Sequence, residues 1–112
     1  MQTLKAKTIK AKSPLQTKIV FWDLFVGSRG APNRIRIMSV LRKMSSNRNQ
    51  LATELDLDYK NIQHHLKVLE KNNLVRKIGN HYVVIYCVSP LFENSEFVFD
   101  EIVDRLKNLN RN

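Results

Sequence analysis

The chain has 112 residues and a mass of 13.1 kDa, a length that fits one domain with a real but limited core. Its longest apolar run, residues 82–88, is far shorter than the roughly twenty residues that span a bilayer, and its single Cys87 excludes an internal disulfide framework and a Cys-rich zinc site. The excess of 19 Lys and Arg over 10 Asp and Glu, a net charge of +9, points to a polyanionic partner, either nucleic acid or an anionic membrane surface.

The amino-terminal segment is strongly basic, because residues 1–18 contain five Lys and no acidic residue. Its few apolar side chains do not offset the entropy lost on ordering, which predicts a flexible basic arm over residues 1–16. The alternative is that this arm pairs as an edge strand in a complex. No apolar stretch follows these Lys residues to form a secretory signal, so a cytoplasmic location is expected. Residues 29–88 are also basic, with a net charge of +7.

The first three helices are predicted from apolar patterns and capping residues. Residues 19–26 are apolar on nearly all sides, which indicates a short helix buried on most of its surface. After a loop, Pro32 suits the first position of a second helix that reaches about Met44. Asn47 is placed to cap a third helix over residues 48–55.

A fourth helix follows the third after a tight turn. Asp56 tolerates the left-handed backbone conformation that such a turn uses, and Asp58 is placed to cap a helix that reaches about Asn72. Two helices joined so closely predict a helix-turn-helix.

The last third of the chain begins with a predicted β-hairpin. Residues 74–78 and 81–88 are rich in Val, Ile and Tyr, and Gly79 and Asn80 between them suit a two-residue hairpin turn. A hairpin that follows a helix-turn-helix is a wing. After Ser-Pro, one last helix is predicted to about Leu109, with apolar residues at the spacing of a helix-pairing seam.

Three stretches carry a family resemblance: NRIRIMSVL at residues 33–41, NQLATEL at 49–55, and DYKNIQHHLKVL followed by Asn-Leu-Val over 58–75. They resemble the ArsR-type winged-helix transcriptional regulators, particularly the archaeal branch, most specifically through I-x-x-H-L-x-x-L at residues 62–69. The resemblance implies a mainly α fold with a small β-hairpin wing. Residues 17–109 would form a winged helix-turn-helix domain that binds DNA and dimerises through its amino- and carboxy-terminal helices.

Metal-sensing members of this family carry paired Cys on the helix before the recognition helix, or Asp and His ligands on the last helix. Residues 48–55 contain no Cys, and residues 91–109 contain no His. We therefore predict no metal and no cofactor.

The fourth helix has one apolar stripe and one cationic face. On a helical wheel, Ile62 lies opposite Lys60, His64 and Lys67, and Asn61 and Gln63 flank that face. A solvated surface is the alternative, but a cationic face without Glu on the second helix of a helix-turn-helix favours DNA. The predicted DNA-binding residues are Tyr59, Lys60, Asn61, Gln63, His64 and Lys67 on this helix, Arg48, Asn49 and Gln50 at the start of the third helix, and Lys77, Asn80 and His81 on the wing.

Several of these residues have a structural alternative. Tyr59 lies at the edge of the apolar stripe, where it packs as readily as it binds, and an ordinary exposed turn is the alternative for the wing tip. His65 borders the stripe and is interpreted as structural. Arg34 and Arg36 are looser DNA candidates, since plain surface charge explains them equally well.

The first and last helices carry more apolar surface than a winged-helix core needs, and the resemblance implies that they form a homodimer. The predicted interface residues are Phe21, Trp22, Phe25, Phe99, Ile102, Leu106 and Leu109. The alternative is a monomer whose terminal helices pack on its own core.

The resemblance thus implies a sequence-specific regulator that binds double-stranded DNA in the cytoplasm, associated with the nucleoid. We predict no enzymatic activity, because the chain has no Gly-rich phosphate loop and no Ser or Cys nucleophile in a recognisable setting. The main alternative is a sequence-indifferent, chromatin-like DNA-binding protein, which the charge and the arm suit equally well. A winged module that binds protein or RNA is a third.

Overall fold

The structure is a computed structural model that describes residues 14–110, so most of the arm predicted over residues 1–16 lies outside the described residues. Its elements in chain order are α1 (Pro14–Trp22), a π-helical segment (Asp23–Gly27), α2 (Ala31–Leu41), α3 (Arg48–Leu55), α4 (Tyr59–Lys71), β1 (Val75–Gly79), β2 (Val84–Val88), α5 (Pro90–Asn94) and α6 (Glu96–Asn110). This mainly helical chain with an antiparallel hairpin after the helix-turn-helix confirms the predicted fold class. None of the helices within residues 14–110 is long and apolar enough to cross a membrane.

One continuous core joins an aliphatic part under the helix-turn-helix to an aromatic part under the terminal helices. In the aromatic part, Phe21 stacks on Phe92 with ring centroids 6.0 Å apart, and Phe25 meets Phe99 edge-on at 5.1 Å. Such pairs add about 0.5–1.5 kcal/mol beyond the area they bury. These rings come from both ends of the described chain, so they hold α1 and the π-helical segment against α5 and α6.

Four residues of the predicted dimer interface belong to the core of the single chain. Phe21, Phe25, Phe99 and Ile102 are all at most 5% exposed in a single chain, so they pack inside the protomer. Sequence periodicity did not separate the two roles, because packing within a chain and packing between chains both place apolar residues at helical spacing.

The first helix differs from its prediction over residues 19–26. It begins at Pro14 and continues into the π-helical segment, which Arg34 stabilises from α2. Arg34 is buried, with its Nε donating to the carbonyl oxygen of Leu24 at 3.1 Å and its Nη2 to Ser28 Oγ at 2.5 Å. Burial lowers the pKa of Arg34, although nearby Asp23 acts in the opposite direction. Arg34 is therefore a structural residue, not the surface charge or DNA contact considered from sequence.

The helix-turn-helix follows its prediction closely. Asn47 caps α3 in a capping box, Asp56 adopts the left-handed conformation with φ of 52°, and Asp58 Oδ1 accepts from the N–H of Lys60 at 2.7 Å. Arg36 Nη2 donates to the carbonyl oxygen of Leu55 at 2.6 Å, which satisfies an acceptor at the end of α3. Local capping chemistry thus sets both helix boundaries.

The hairpin is confirmed, but its turn is longer than predicted. Val75 pairs with Val88 and Gly79 with Val84, which leaves residues 80–83 as a four-residue turn in place of Gly79-Asn80 alone. The N–H and carbonyl groups of Tyr86 bond to the carbonyl and N–H of Ser46 at 2.8 and 3.0 Å. This bridge anchors β2 to the loop that follows α2. The helix α2 itself ends at Leu41, earlier than the predicted end near Met44.

The predicted last helix is broken at Ser95 into α5 and α6. An ion-pair cluster fixes the start of α6, because Arg42 bonds to Glu96 at 2.6 Å and to Asp100 at 2.7 Å. The bond to Arg42 lowers the pKa of Asp100. The cluster therefore ties the end of α2 to the carboxy-terminal helix.

Candidate nucleic-acid interface

The outward face of α4 is a continuous row of exposed polar and basic side chains. Ile62, Leu66 and Leu69 are fully buried on the opposite face. The exposed row consists of Lys60, His64, Lys67 and Lys71, with Asn61 also exposed and Gln63 half-buried beside it. The structure therefore brings together the predicted α4 residues on one surface that can approach a polyanion.

His64 and His65 are neighbours with opposite environments. His64 is exposed, whereas His65 is 6% exposed and its Nδ1 has no hydrogen-bond partner among the described residues. Burial lowers the pKa of His65, and Arg34 and His64 lower it further. The backbone at Gly30 approaches the His65 ring so closely that a Cβ there would lie 2.5 Å from Cε1. His65 therefore has the structural placement that its position beside the apolar stripe predicts, and only His64 is open to a ligand.

The amino-terminal ends of α3 and α4 lie side by side. The guanidinium of Arg48 sits 5.3 Å from the centre of the Tyr59 ring, in cation–π geometry, and Tyr59 remains exposed. Asn49 is exposed, but Gln50 Oε1 accepts from the N–H of Asn47 at 2.7 Å. Gln50 thus acts in the cap, while Arg48, Asn49 and Tyr59 form a surface next to the row on α4.

The wing tip closes a cleft against these helix ends. The cleft, of about 250 Å³, is lined by Asn47, Arg48, Asn49, Tyr59 and residues 81–84. Lys77 and His81 are exposed, as a DNA-contacting wing requires, but Asn80 Oδ1 is occupied by two backbone N–H groups of the turn. Sequence reasoning missed Tyr82, which projects from this tip. No signal in the sequence indicated this, because the prediction placed Tyr82 in the second strand, and only the observed register puts it in the turn.

The terminal helices present a separate, apolar surface. A groove of about 560 Å³ runs between the π-helical segment and α6, and its lining includes Trp22, Val26, Leu106 and Leu109. Trp22 and Leu109 are exposed, as is Ile19 on α1. Four of the predicted dimer residues, Trp22, Ile102, Leu106 and Leu109, therefore line this groove. Ile19 adds an exposed apolar side chain on the adjoining helix.

Another groove, of about 900 Å³, lies between α2 and α3. Several of its polar side chains are used within the chain: Ser39 Oγ donates to the carbonyl oxygen of Ile35, Arg36 bonds to Leu55, and Asn47 and Gln50 form the capping box. Among residues 14–110, no group of three or more His, Cys, Asp or Glu is arranged to hold a metal ion.

Residues 31–77 match the family described as bacterial regulatory protein, arsR family. This span runs from the start of α2 into β1, so it contains the helix-turn-helix and the beginning of the first strand of the wing. The chain therefore contains an ArsR-family helix-turn-helix domain. No curated protein sequence matches the chain significantly.

Similar solved structures extend beyond that domain. Reduced HlyU from Vibrio cholerae N16961 is 20% identical, covers 95% of this chain and 97% of its own, and has a TM-score of 0.59. Rv0081 of M. tuberculosis is 21% identical over 90% of this chain and 100% of its own, with a TM-score of 0.65. The transcriptional regulator BldR from Sulfolobus solfataricus is 18% identical over 96% of this chain and 80% of its own, also at 0.65. At these identities the similarity establishes a shared fold, in which the terminal helices are included.

Proposed function

We propose that this protein, with its ArsR-family helix-turn-helix domain at residues 31–77, is a transcriptional regulator that binds specific sequences of double-stranded DNA as a homodimer. One observation carries the proposal: α4 exposes an unbroken row of Lys and His on the second helix of a capped helix-turn-helix. It would act in the cytoplasm, on nucleoid DNA.

The chemistry of α4 suits the major groove, which is about 12 Å wide and admits a helix. Lys60 and Lys67 neutralise phosphates, and this releases counterions from the duplex. Asn61 and Gln63 carry amides that donate and accept at an adenine edge. In this arrangement the Lys residues supply affinity, while the amides and His64 supply discrimination between sequences.

Backbone contacts would flank the recognition helix on both sides. Arg48 and Asn49 lie at the start of α3, where free N–H groups and the positive helix end favour a phosphate. Lys77 and His81 would contact the duplex from the wing. The basic arm, with no acidic residue in its sequence, would add affinity without reading bases.

The homodimer would form through the apolar surface of the terminal helices. Trp22, Leu106 and Leu109 line the groove there, with Ile19 nearby, and a second copy of the same surface would cover them. A two-fold dimer presents two copies of α4 to half-sites about 34 Å apart on one face of the duplex. The net charge of −2 over residues 89–112 suits a surface that points away from DNA.

Selection of bound genomic fragments, followed by footprinting, tests this function. We expect a pseudo-palindromic site that is bound at least about a thousandfold more tightly than a scrambled duplex at physiological salt. Equal affinities for the selected site and the scrambled duplex would instead show that the protein binds DNA without regard to sequence.

A matched pair of variants tests the assigned face. The quadruple variant Lys60→Ala, Gln63→Ala, His64→Ala and Lys67→Ala should weaken binding to the selected site at least about a hundredfold. The control Lys43→Ala with Lys107→Ala removes as many Lys charges from exposed positions elsewhere and should change affinity little. DNA affinity that survives the quadruple variant would favour a module that binds protein or RNA.

A further inference from the structure

Tyr82 has the most exposed large apolar side chain among residues 14–110, with 93% of its surface open to solvent. Hydrogen bonds within the turn hold the backbone around this residue. Asn80 Oδ1 accepts from the N–H groups of Tyr82 and Val83 at 2.9 and 3.2 Å, and the N–H of Asn80 donates to the Val83 carbonyl oxygen at 3.0 Å. The backbone of the tip therefore directs the Tyr82 side chain outward.

Gly79 is required for this geometry. Its φ is +123°, and a Cβ at this position would lie 1.8 Å from the Val83 carbonyl oxygen. Only glycine fits, because no other residue adopts this backbone conformation without strain or avoids that contact. The turn that projects Tyr82 thus depends on glycine at position 79, the last residue of β1.

The tip is apolar, whereas the strand that leads to it is basic. Val83 and Ile78 are more than half exposed beside Tyr82, and Arg76 and Lys77 are exposed on β1. Exposed apolar groups clustered in this way mark an interaction surface. A matching partner must accept an inserted apolar group and also carry negative charge on either side.

The DNA minor groove has that chemistry, since deoxyribose rings line its walls and phosphates border it. Residues 81–84 share the cleft with Arg48 and Tyr59, so the tip lies on the same side of the protein as the amino-terminal ends of α3 and α4. A duplex bound on α4 would therefore extend toward Tyr82.

We propose that Tyr82 is an apolar wedge, which enters the minor groove and partly unstacks one base step, so that the bound duplex is bent. Insertion of apolar side chains between base steps is a known way for proteins to kink DNA toward the major groove. The inference rests on the proposed DNA-binding function and adds Tyr82 to the residues that contact DNA. By bending the duplex, Tyr82 would favour sequences that deform easily at the unstacked step, although it makes no hydrogen bond to a base there.

The experiment uses the full chain and the duplex recovered by selection. Dyes at the two duplex ends report bending by energy transfer, and 2-aminopurine placed at successive steps beneath the wing reports unstacking. Wild type and Tyr82→Phe should bend the duplex and raise 2-aminopurine fluorescence at one step. Tyr82→Ala should leave the duplex straight, abolish that rise and weaken affinity about tenfold, the scale of one base–aromatic contact. Lys77→Ala should weaken affinity while the 2-aminopurine signal on the saturated complex stays unchanged.

Unchanged bending and fluorescence in saturated Tyr82→Ala would overturn the wedge, even if its affinity were lower, because Tyr82 would then only lie along the groove wall. That result would leave the proposed function intact, since wild type would still bind its selected duplex. Failure of wild type to bind any duplex would overturn both. Thermal unfolding of each variant should match wild type, because the Tyr82 ring is exposed.

Discussion

The helix-turn-helix and the terminal helices share one hydrophobic core but present opposite surfaces. The outward face of α4 consists of Lys, His and Asn, whereas α1 and α6 expose Ile19, Trp22 and Leu109. Their buried sides are both mainly apolar. The difference shows that burial explains how each region is held in the fold, while the proposed DNA and dimer contacts both rest on the exposed side chains.

The largest effect is expected in the aromatic core that supports the terminal helices. Phe99→Ala should lower the free energy of unfolding by about 3–5 kcal/mol, because it leaves a cavity among packed rings. Phe97→Ala is the matched control, since Phe97 lies two positions away on the same helix and is 64% exposed. Its unfolding free energy, measured in urea, should stay within about 0.5 kcal/mol of wild type. Equal losses in both variants would contradict the assignment of Phe99 to the core.

A charge on the apolar surface tests whether a second copy covers it. Leu109→Glu should raise the dimer dissociation constant at least about tenfold, because the carboxylate would have to be desolvated in the interface. Sedimentation equilibrium measures the change. Met44→Glu places the same charge on an exposed apolar residue outside that surface and should leave the dissociation constant unchanged. A monomeric wild type would disprove the dimer, and the terminal helices would then serve the protomer alone.

The helix-turn-helix should respond to loss of its cap. Asn47→Ala removes the side chain that accepts from the N–H of Gln50 at 2.8 Å and should lower the free energy of unfolding by about 1 kcal/mol. Asn49→Ala, which changes an exposed neighbour, should have a much smaller effect on stability while it weakens DNA binding. A thermal melt and a binding titration together separate the two roles.

The smallest expected effect is a pH dependence that arises from His65. Since its pKa is lowered in the folded state, the unfolded chain takes up a proton first as the pH falls below about 6.5. Stability should therefore decrease with acidification from that point until the folded pKa is reached, with a slope of at most about 1.4 kcal/mol per pH unit. Urea unfolding at several pH values should show this slope in wild type and a reduced slope in His65→Gln. An identical slope in both would assign it to other groups.

The parts of the fold that depend on local chemistry were predictable. Asn47 and Asp58 act through hydrogen bonds two or three residues away, so the boundaries of α3 and the start of α4 follow from the sequence alone. The exposed row on α4 was predictable for the same reason, since helical period decides which residues face the core.

Features that depend on distant residues were not predictable. The π-helical segment is stabilised by Arg34, ten residues from the Leu24 carbonyl it contacts, and no local pattern indicates that bond. The break at Ser95 accompanies the packing of Phe92 against rings from the other end of the chain. The length of the wing turn depends on the register of the two strands, and the presence of Gly79 in the sequence does not determine that register. These are the places where tertiary contacts overrule local preference.

The bridge between Ser46 and Tyr86 also bears on how the protein avoids self-association through its strands. A short hairpin has two outer edges, each of which can template another strand. Ser46 occupies the hydrogen-bonding groups of Tyr86 at the middle of β2. The other edge belongs to β1, a five-residue strand that carries Arg76 and Lys77. With the middle of one edge occupied and the other edge short and charged, the wing can expose apolar residues at its tip and still resist edge-to-edge aggregation.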